Sequence, residues 1–573
     1  LGDDAAGSND FTVNNITAND QMPDTPTNNF CTWDGVNSPV GTLSEGNLKV
    51  VGTTYNKVAV GTFPMSSGKW YWEVQVVANG ARNFLGVVKL ETTSHGTYAG
   101  ATTDAYAGVY GHDGATYQRG GTENAEFGSS FSAGDIITIC FDADIGSFWL
   151  NKNAYPDTSA TALVTSLPSG LYNLIYEEAS GGAKATNILN AGQDGTFAGT
   201  KTAQDNADDN GYGNFYYDVP AGFLALCSKN LPEPTVEPSE HFNTVLYTDN
   251  ASIRSITGVG FQPDLVWIKT RNHGNYHNIF DSLRGVGKTL HSSTNGVEDN
   301  VSDLLTSFDS DGFGLGADAS GYGVNHSNKT EVAWNWKANG SGSSNTDGTI
   351  NTTSTSANVS AGFSISTYTG NGVAGATVGH GLSVAPELVI VKRRDNANNW
   401  AVGQAEISGK DWTGAMKLDA TEAWSADNRW NNTPPTNSVF SLSSDASTNN
   451  NTSLFIAYCW HSVEGYSKIG AYEGNGNADG TVVYCGFRPA FVMTKTVDSS
   501  GQNWMMFDNK RDTYNLSVNR LRANDSAAEG SDNHMDILSN GFKLRTSDQS
   551  SNGSESYVYM AFAENPFRYT NAR

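Results

Sequence analysis

Site chemistry needs groups of the right type brought together, and this chain offers four kinds of candidate. The first is histidine: His241, His273, His277, His291, His326, His380 and His461 fall mostly in polar, turn-rich stretches. None sits in an HExxH pattern or at another metal-ligand spacing, and neither a GxSxG nor a P-loop run occurs. The second is local carboxylate pairs, Asp142 with Asp144 and Asp309 with Asp311. Each pair suits either a calcium loop or a hairpin turn, and Asp is chosen at turns for its own local hydrogen bonding. The third is cysteine, at 31, 140, 227, 459 and 485, with no CxxC pair. The odd count and wide spacing argue against both a disulfide framework and zinc, and Cys140 in IITICF reads as a buried free thiol. The fourth is aromatic rings in polar, loop-like stretches: Tyr110 and Tyr117 in YGHDGATYQ, Trp424 and Trp430 in EAWSADNRWNN. Such rings either stack on sugars, with nearby amides bonding hydroxyls, or pin long loops. These four are the candidate ligand-binding residues. No catalytic or metal residue is assigned and no cofactor is expected, structural calcium being left open but not indicated. Glycosidase carboxylates pair in space, so spacing along the chain leaves that chemistry open.

The elements that would position these groups are strands. The 573 residues include 62 Gly and are rich in Asn, Ser, Thr and aromatics, which suits short strands joined by turns. The length implies roughly three to five domains. A net charge of -25, from 34 basic and 59 acidic residues, repels nucleic acid and anionic membrane. No apolar stretch is long enough to span a membrane, and no signal peptide is visible. The chain begins LGDD, as expected of a processed or partial product.

In GKWYWEVQVV (68–77), Trp70, Trp72, Val74 and Val76 alternate with Tyr71, Glu73 and Gln75, the pattern of a half-buried strand. AGDIITICFDADIGSFWLNKN (133–153) reads as a hairpin turning at Asp144 and Gly146. The order of these pieces resembles the SPRY domain: Gly68 to Glu73, then Gly134 and Asp135, then Asp142, Gly146 and Asn151, with FLGVV (84–88) and YAGVYG (106–111) between. One departure is Asn153-Ala154, where a glycine often follows the asparagine. The resemblance implies a bent β-sandwich that binds a partner through loops, without catalytic residues.

The closing stretch NFYYDVPAGFLALCSKNLPEP (214–234) resembles the end of SPRY units in structural proteins of tailed bacteriophages, through Pro220, Gly222, Phe223, Ala225, Leu226, Cys227, Asn230, Leu231 and Pro232. LGDDAAGSNDFTVNNI (1–16) resembles the tail end of a laminin-G-like sandwich that precedes SPRY in such proteins. PEPTVEPSE then reads as a semi-rigid linker.

From about 240 onward one unit is written three times. The anchors are GFQPDLVWIKTR (260–271), VAPELVIVKRR (384–394) and GFRPAFVMTKTV (486–497), aligned on Pro263, Pro386 and Pro489. IFDSLRG (279–285) matches MFDNKRD (506–512), and EVAWNWKA, SLFIAYCWH and YVYMAFAE close the copies. A strand-rich unit of this size predicts a small β-sandwich. Comparison of copies favours turns over calcium at Asp309 and Asp311, since Ser539-Asn540-Gly541 stands there in the third copy. Lys269, Lys392 and Lys495 recur at one strand position and read as edge guards or local pairs. Asp281–Arg284 and Asp508–Arg511 read as structural.

The expected fold is all-β: tandem β-sandwiches, a SPRY-like or concanavalin-like one followed by three related smaller ones. The expected divisions are 1–29, remnant or linker of a preceding β domain; 30–230, SPRY-like; 231–240, linker; 241–340, first repeat; 341–361, Ser/Thr/Gly/Asn-rich linker; 362–465, second; and 466–573, third. The whole-chain resemblance implies a non-enzymatic virion protein, a tail fibre or appendage contacting the host surface. Its partners would be other virion proteins and a host glycan or protein, with no nucleic acid and no membrane insertion. Such appendages are commonly trimers, so a homo-oligomer is expected. A head or tail decoration protein and a bacterial adhesin or filament subunit are the alternatives; polysaccharide-cutting tailspikes usually show long β-helix repeats, which are absent here.

Overall fold

A computed structural model describes residues 24–25, 27–36, 41–54, 57–80, 82–89, 105–178, 182–326, 328–407 and 409–569. The stretch 1–16, read as a laminin-G-like tail end, lies outside them. The fold is all-β, and the chain divides into two units, Leu1–Pro232 and Glu233–Arg573.

The first unit is built on two sheets. One runs in the order Gly41–Ser44, Lys49–Gly52, Thr186–Asn190, Lys69–Ala78, Ile136–Asp142, Ser147–Lys152, Val164–Thr165, Thr122–Glu123. The other runs Lys57–Val60, Tyr172–Glu178, Asn83–Lys89, Tyr106–Tyr110, Thr116–Arg119. The rings of Phe141 and Tyr172, one from each sheet, meet at 5.1 Å inside the sandwich. The predicted hairpin forms between Ile136–Asp142 and Ser147–Lys152, and Asp142 and Asp144 serve the turn: Asp144 accepts from Gly68 N–H at 2.8 Å and donates its own N–H to Asp142 Oδ1 at 3.1 Å.

Strand Lys69–Ala78 departs from the half-buried expectation, because both its faces are covered. The second face takes the closing stretch: Phe215, Phe223, Ala225 and Cys227 pack with Tyr71 and Cys140. Glu73 fixes this cover from below. Its carboxylate accepts from Tyr71 Oη (2.8 Å), Asn190 Nδ2 (3.0 Å) and the backbone N–H groups of Tyr216 (2.9 Å) and Tyr217 (2.8 Å). Residues 28 and 29, assigned to a preceding domain, join the same closure: Asn29 N–H donates to Ser228 Oγ at 3.0 Å.

The second unit holds the three repeats, and each has the same main sheet. The anchor strands Leu265–Thr270, Leu388–Arg393 and Phe487–Thr496 lie between the closing strands (Thr330–Trp336, Leu454–Trp460, Ser556–Pro566) and a short strand (Asn278–Asp281, Ala401–Gln404, Met505–Asp508). The registers coincide: Leu265 faces Trp336 and Asp281, Leu388 faces Trp460 and Gln404, and Phe491 faces Phe562 and Asp508. Two-residue turns at Ser310-Asp311 and Ser539-Asn540 confirm the turn reading there, and Asp311 accepts from Gly258 and Gly260 N–H.

One face of each main sheet closes over its own smaller sheet, giving three separate cores. The other faces meet in one common core, with Phe242 and Trp334 from the first repeat, Phe363 and Tyr458 from the second, and Phe491 and Phe562 from the third. Apolar residues on both faces of a sheet require cover on both sides. Here the repeats supply it to one another in a closed ring rather than standing in a row. Two expected linkers are therefore corrected. Val236 of 231–240 is buried in the common core, and 341–361 carries buried Ile350 and strand Ser354–Asn358, which pairs with Phe363–Thr369.

Candidate functional site

The five-stranded sheet of the first unit places Tyr110 and Tyr117. Along Tyr106–Tyr110 the side chains alternate, so Tyr106 and Tyr110 share one face with Phe84 of the neighbouring strand. Gly108, between them, leaves room for Phe84: a Cβ there would lie 2.4 Å from the ring. Tyr110 is in a strand and buried, not in an exposed loop. Its hydroxyl lies 3.5 Å from Glu177 Oε1, and burial first, then the Glu177 charge, raises its pKa. Tyr117, on the edge strand Thr116–Arg119, is 44% exposed and meets Tyr110 edge-on at 4.8 Å. A buried tyrosine thus braces an exposed one at a sheet edge, with His112 5.9 Å from Tyr110. A rigid, half-exposed ring backed by other rings is what stacking on a sugar or an apolar side chain requires.

The two tryptophans are corrected. Trp430 is 0% exposed and packs at 90° against Trp412, 5.6 Å away, inside the second repeat's own core. It cannot stack on a ligand. Trp424 is half-buried against the common core, with Nε1–H donated to Asp411 O at 3.3 Å. Both rings pin structure, as the polar residues around them concealed.

Trp424 belongs to the contacts that close the ring. At each of the three seams one repeat donates a backbone N–H to the strand end of the next: Glu298 to Arg394 (3.0 Å), Trp424 to Val497 (3.1 Å) and Glu529 to Arg271 (2.7 Å). Beside these, a ring nitrogen just before each short strand reaches a carbonyl of the preceding repeat. Trp400 Nε1–H donates to His291 O and Trp504 Nε1–H to Lys417 O, both at 2.9 Å, and His277 Nε2 lies 2.9 Å from Arg522 O.

Two seams carry a buried cluster of ion pairs, and the third has Lys410 paired with Asp498 at its partly exposed rim. Glu298 takes Arg394 through two bonds (2.8 and 3.0 Å) and meets buried Arg284, itself paired with Asp281. Glu529 takes Arg271 (2.8 and 3.1 Å) and meets buried Arg511, paired with Asp508 at 2.6 Å. Burial acts to raise the Glu298 pKa, but the two guanidiniums outweigh it and hold the carboxyl below its ordinary value. Tyr458 Oη and Trp334 Nε1, from the adjacent repeats, complete Asp281 (2.8 Å) and Asp508 (3.1 Å). The pairs read as structural are therefore structural between repeats, not only within them. Alignment on the anchors would have revealed Arg271 and Arg394 two places after the recurrent lysine; Glu298 and Glu529 lie in loops without a common string.

For the lysines, read as edge guards or local pairs, the edge reading is corrected. Lys269, Lys392 and Lys495 are 0% exposed on central strands, so they guard no edge. Each ammonium donates to the next residue's carbonyl, at 2.6, 2.8 and 2.9 Å, and burial lowers each pKa to about 8. All five cysteines are free and buried. Among the described residues no group of three or more His, Cys, Asp or Glu is arranged to hold a metal ion, and no helix is long and apolar enough to cross a membrane.

A family model described as a domain of unknown function (DUF7483) matches residues 237–566, the span of the ring. Over 139 residues the chain is 27% identical to Ran-binding protein 9 of Mus musculus and of Homo sapiens. That stretch is 23% of this chain, and 20% of the mouse and 18% of the human protein, so the match spans about a fifth of these relatives. Similar solved structures include the TRIM65 PSpry domain (14% identity, TM-score 0.22, 28% of this chain and 89% of that one) and the SPRY domain of human HERC1 (17%, 0.18, 30% and 96%).

Proposed function

We propose, starting from the fact that the chain belongs to the family described as a domain of unknown function (DUF7483), that it is a non-enzymatic recognition protein. In this reading the first unit makes the contact and the ring packs against other proteins of the assembly. The observation that carries it is the Tyr110–Tyr117 pair, a buried ring holding an exposed one at a sheet edge. The resemblance of the first unit to SPRY domains, which bind through loops, supports the same reading.

The setting we propose is the virion of a tailed phage, extracellular, as a tail fibre or appendage that contacts a host glycan or protein and packs against other virion proteins. The closing stretch from Pro220 to Pro232 supports it by resemblance. So does the ring, which supplies within one chain the threefold pattern that three separate subunits often make in such appendages. A head or tail decoration protein is the second reading, favoured by the same ring as a packing block.

Electron cryomicroscopy of the native assembly, with the chain located by a bound antibody fragment, tests this. Copies projecting from a tail with the first unit free support recognition. Continuous lateral packing over a shell, with Tyr117 covered by a neighbour, would contradict it.

A further inference from the structure

The first repeat departs from the other two at one surface position. In the second repeat Asn399 Nδ2–H donates to Asp419 at 2.8 Å, and Asp419 also accepts the Trp400 N–H at 2.9 Å. In the third, Asn524 Nδ2–H donates to Asn503 at 2.9 Å and its Oδ1 accepts the Trp504 N–H, also at 2.9 Å. Each thus ties the start of its short strand to the next loop. In the first repeat the equivalent residues are Tyr276 and Ser293: Ser293 Oγ keeps the backbone contact, with His277 N–H at 3.4 Å, but among the described residues it makes no side-chain hydrogen bond to Tyr276. Tyr276 is 51% exposed. The position that the second and third repeats use to close the surface holds an exposed aromatic ring in the first.

What surrounds that ring is ordered. His291 lies against Tyr276 at 5.3 Å and stacks on Tyr322 at 5.9 Å, with 25° between the planes. The His291 Nδ1–H donates to His277 O at 2.8 Å, which fixes the ring, and Nε2 faces Asp299 Oδ2 at 3.1 Å. Tyr322 Oη adds a longer contact to the same oxygen, 3.4 Å. Asp299 is therefore held by one oxygen. Its Oδ1 takes no hydrogen bond from the described residues, and the side chain is 38% exposed.

We propose that Tyr276 and Asp299 form a glycan-binding site on the first repeat, for a neutral pyranose whose apolar face stacks on the Tyr276 ring while vicinal hydroxyls donate to the Asp299 carboxylate. The chemistry follows from the parts. An exposed ring braced from behind presents a flat apolar face without losing rotamer entropy on binding. A carboxylate with a free oxygen accepts from neutral hydroxyls, and at a net charge of -25 the protein favours a neutral sugar over an anionic one. His291 and Tyr322 are positioning residues. The site is separate from the Tyr110–Tyr117 pair and stands or falls without it.

The test is a glycan array of neutral hexose and N-acetylhexosamine oligosaccharides, probed with the full chain and followed by titration of any bound sugar. Tyr276→Asn installs the residue that the other two repeats carry, so it preserves the fold; Asp299→Asn removes the charged acceptor. The proposal expects binding to at least one neutral glycan, weakened tenfold or more by each substitution and unchanged by Tyr117→Ala. Absence of binding to every neutral glycan overturns it, as does binding that survives Tyr276→Asn. Binding lost only with Tyr117→Ala would overturn this site while leaving the first unit's role intact.

Discussion

Trp424 occupies in the second repeat the place that Glu298 occupies in the first. Each donates its backbone N–H to the strand end of the following repeat, Trp424 to Val497 and Glu298 to Arg394. Their side chains solve the same problem in opposite ways. Glu298 neutralises Arg284 and Arg394, whereas at the Trp424 seam the corresponding residues are Ile407 and Val497; the inner part of that seam is apolar, and its ion pair, Lys410 with Asp498, lies at the partly exposed rim. Asp281, the anchor of the ionic version, is likewise replaced by Gln404. The charges change together because a lone charge in a dry seam would be costly.

Glu298→Gln should therefore destabilise the ring strongly. It leaves the fully buried Arg284 guanidinium with Asp281 alone and strips Arg394 of its partner. The expected loss is about 3–5 kcal/mol, read as a shift in the denaturant midpoint of the second unit. Trp424→Glu should cost as much from the other direction, by placing a carboxylate against Ile407 and Val497. A loss below about 1 kcal/mol in either variant would mean that the seams are wet and loosely packed.

The first unit should lose stability as pH rises from the ordinary carboxyl range to about 7. Burial raises the Glu73 carboxyl to about 7, with the four hydrogen bonds only partly opposing it. A carboxyl raised in the folded state binds its proton more tightly there than in the unfolded chain. Its contribution is full below the ordinary carboxyl range and is lost as pH climbs to about 7, by up to about 3 kcal/mol. Unfolding of the first unit measured from pH 4 to 8 should show this decline, and Glu73→Gln should flatten it.

A second pH effect belongs to the first repeat. Glu331 faces Tyr247 where the other repeats stack Tyr368 on Phe455 and Tyr472 on Tyr557, and buried Asp249 lies beside it. Burial raises both pKa values, with that of Asp249 at about 6. The stability they confer is present below the ordinary carboxyl range and is lost as pH rises through about 6. Glu331→Gln should accordingly stabilise the ring more at pH 8 than at pH 5, in paired melts at the two values. An equal effect at both would show that the pair does not titrate with folding.

The repeats and their strands were legible because Pro263, Pro386 and Pro489 head the same apolar run three times and a sandwich core needs that run. The turn at Asp311 was legible for the same reason, once Asn540 was seen to replace it. Ring closure was not. The bond from Trp400 to His291 joins residues 109 positions apart, and the apolar outer face of each sheet reads identically whether a loop or another repeat covers it. Trp430 misled because its neighbours are polar, although its own ring faces Trp412. Tyr117 stayed exposed because its strand is the last in its sheet, which the local sequence does not announce.

Native-state hydrogen exchange on the full chain tests the ring most directly. If the three repeats form one closed body, the central-strand amides of Leu265–Thr270, Leu388–Arg393 and Phe487–Thr496 share one opening free energy, and Glu298→Gln lowers all three together. Faster exchange confined to the first and second repeats, with Phe487–Thr496 unchanged, would show three independent sandwiches and contradict the account.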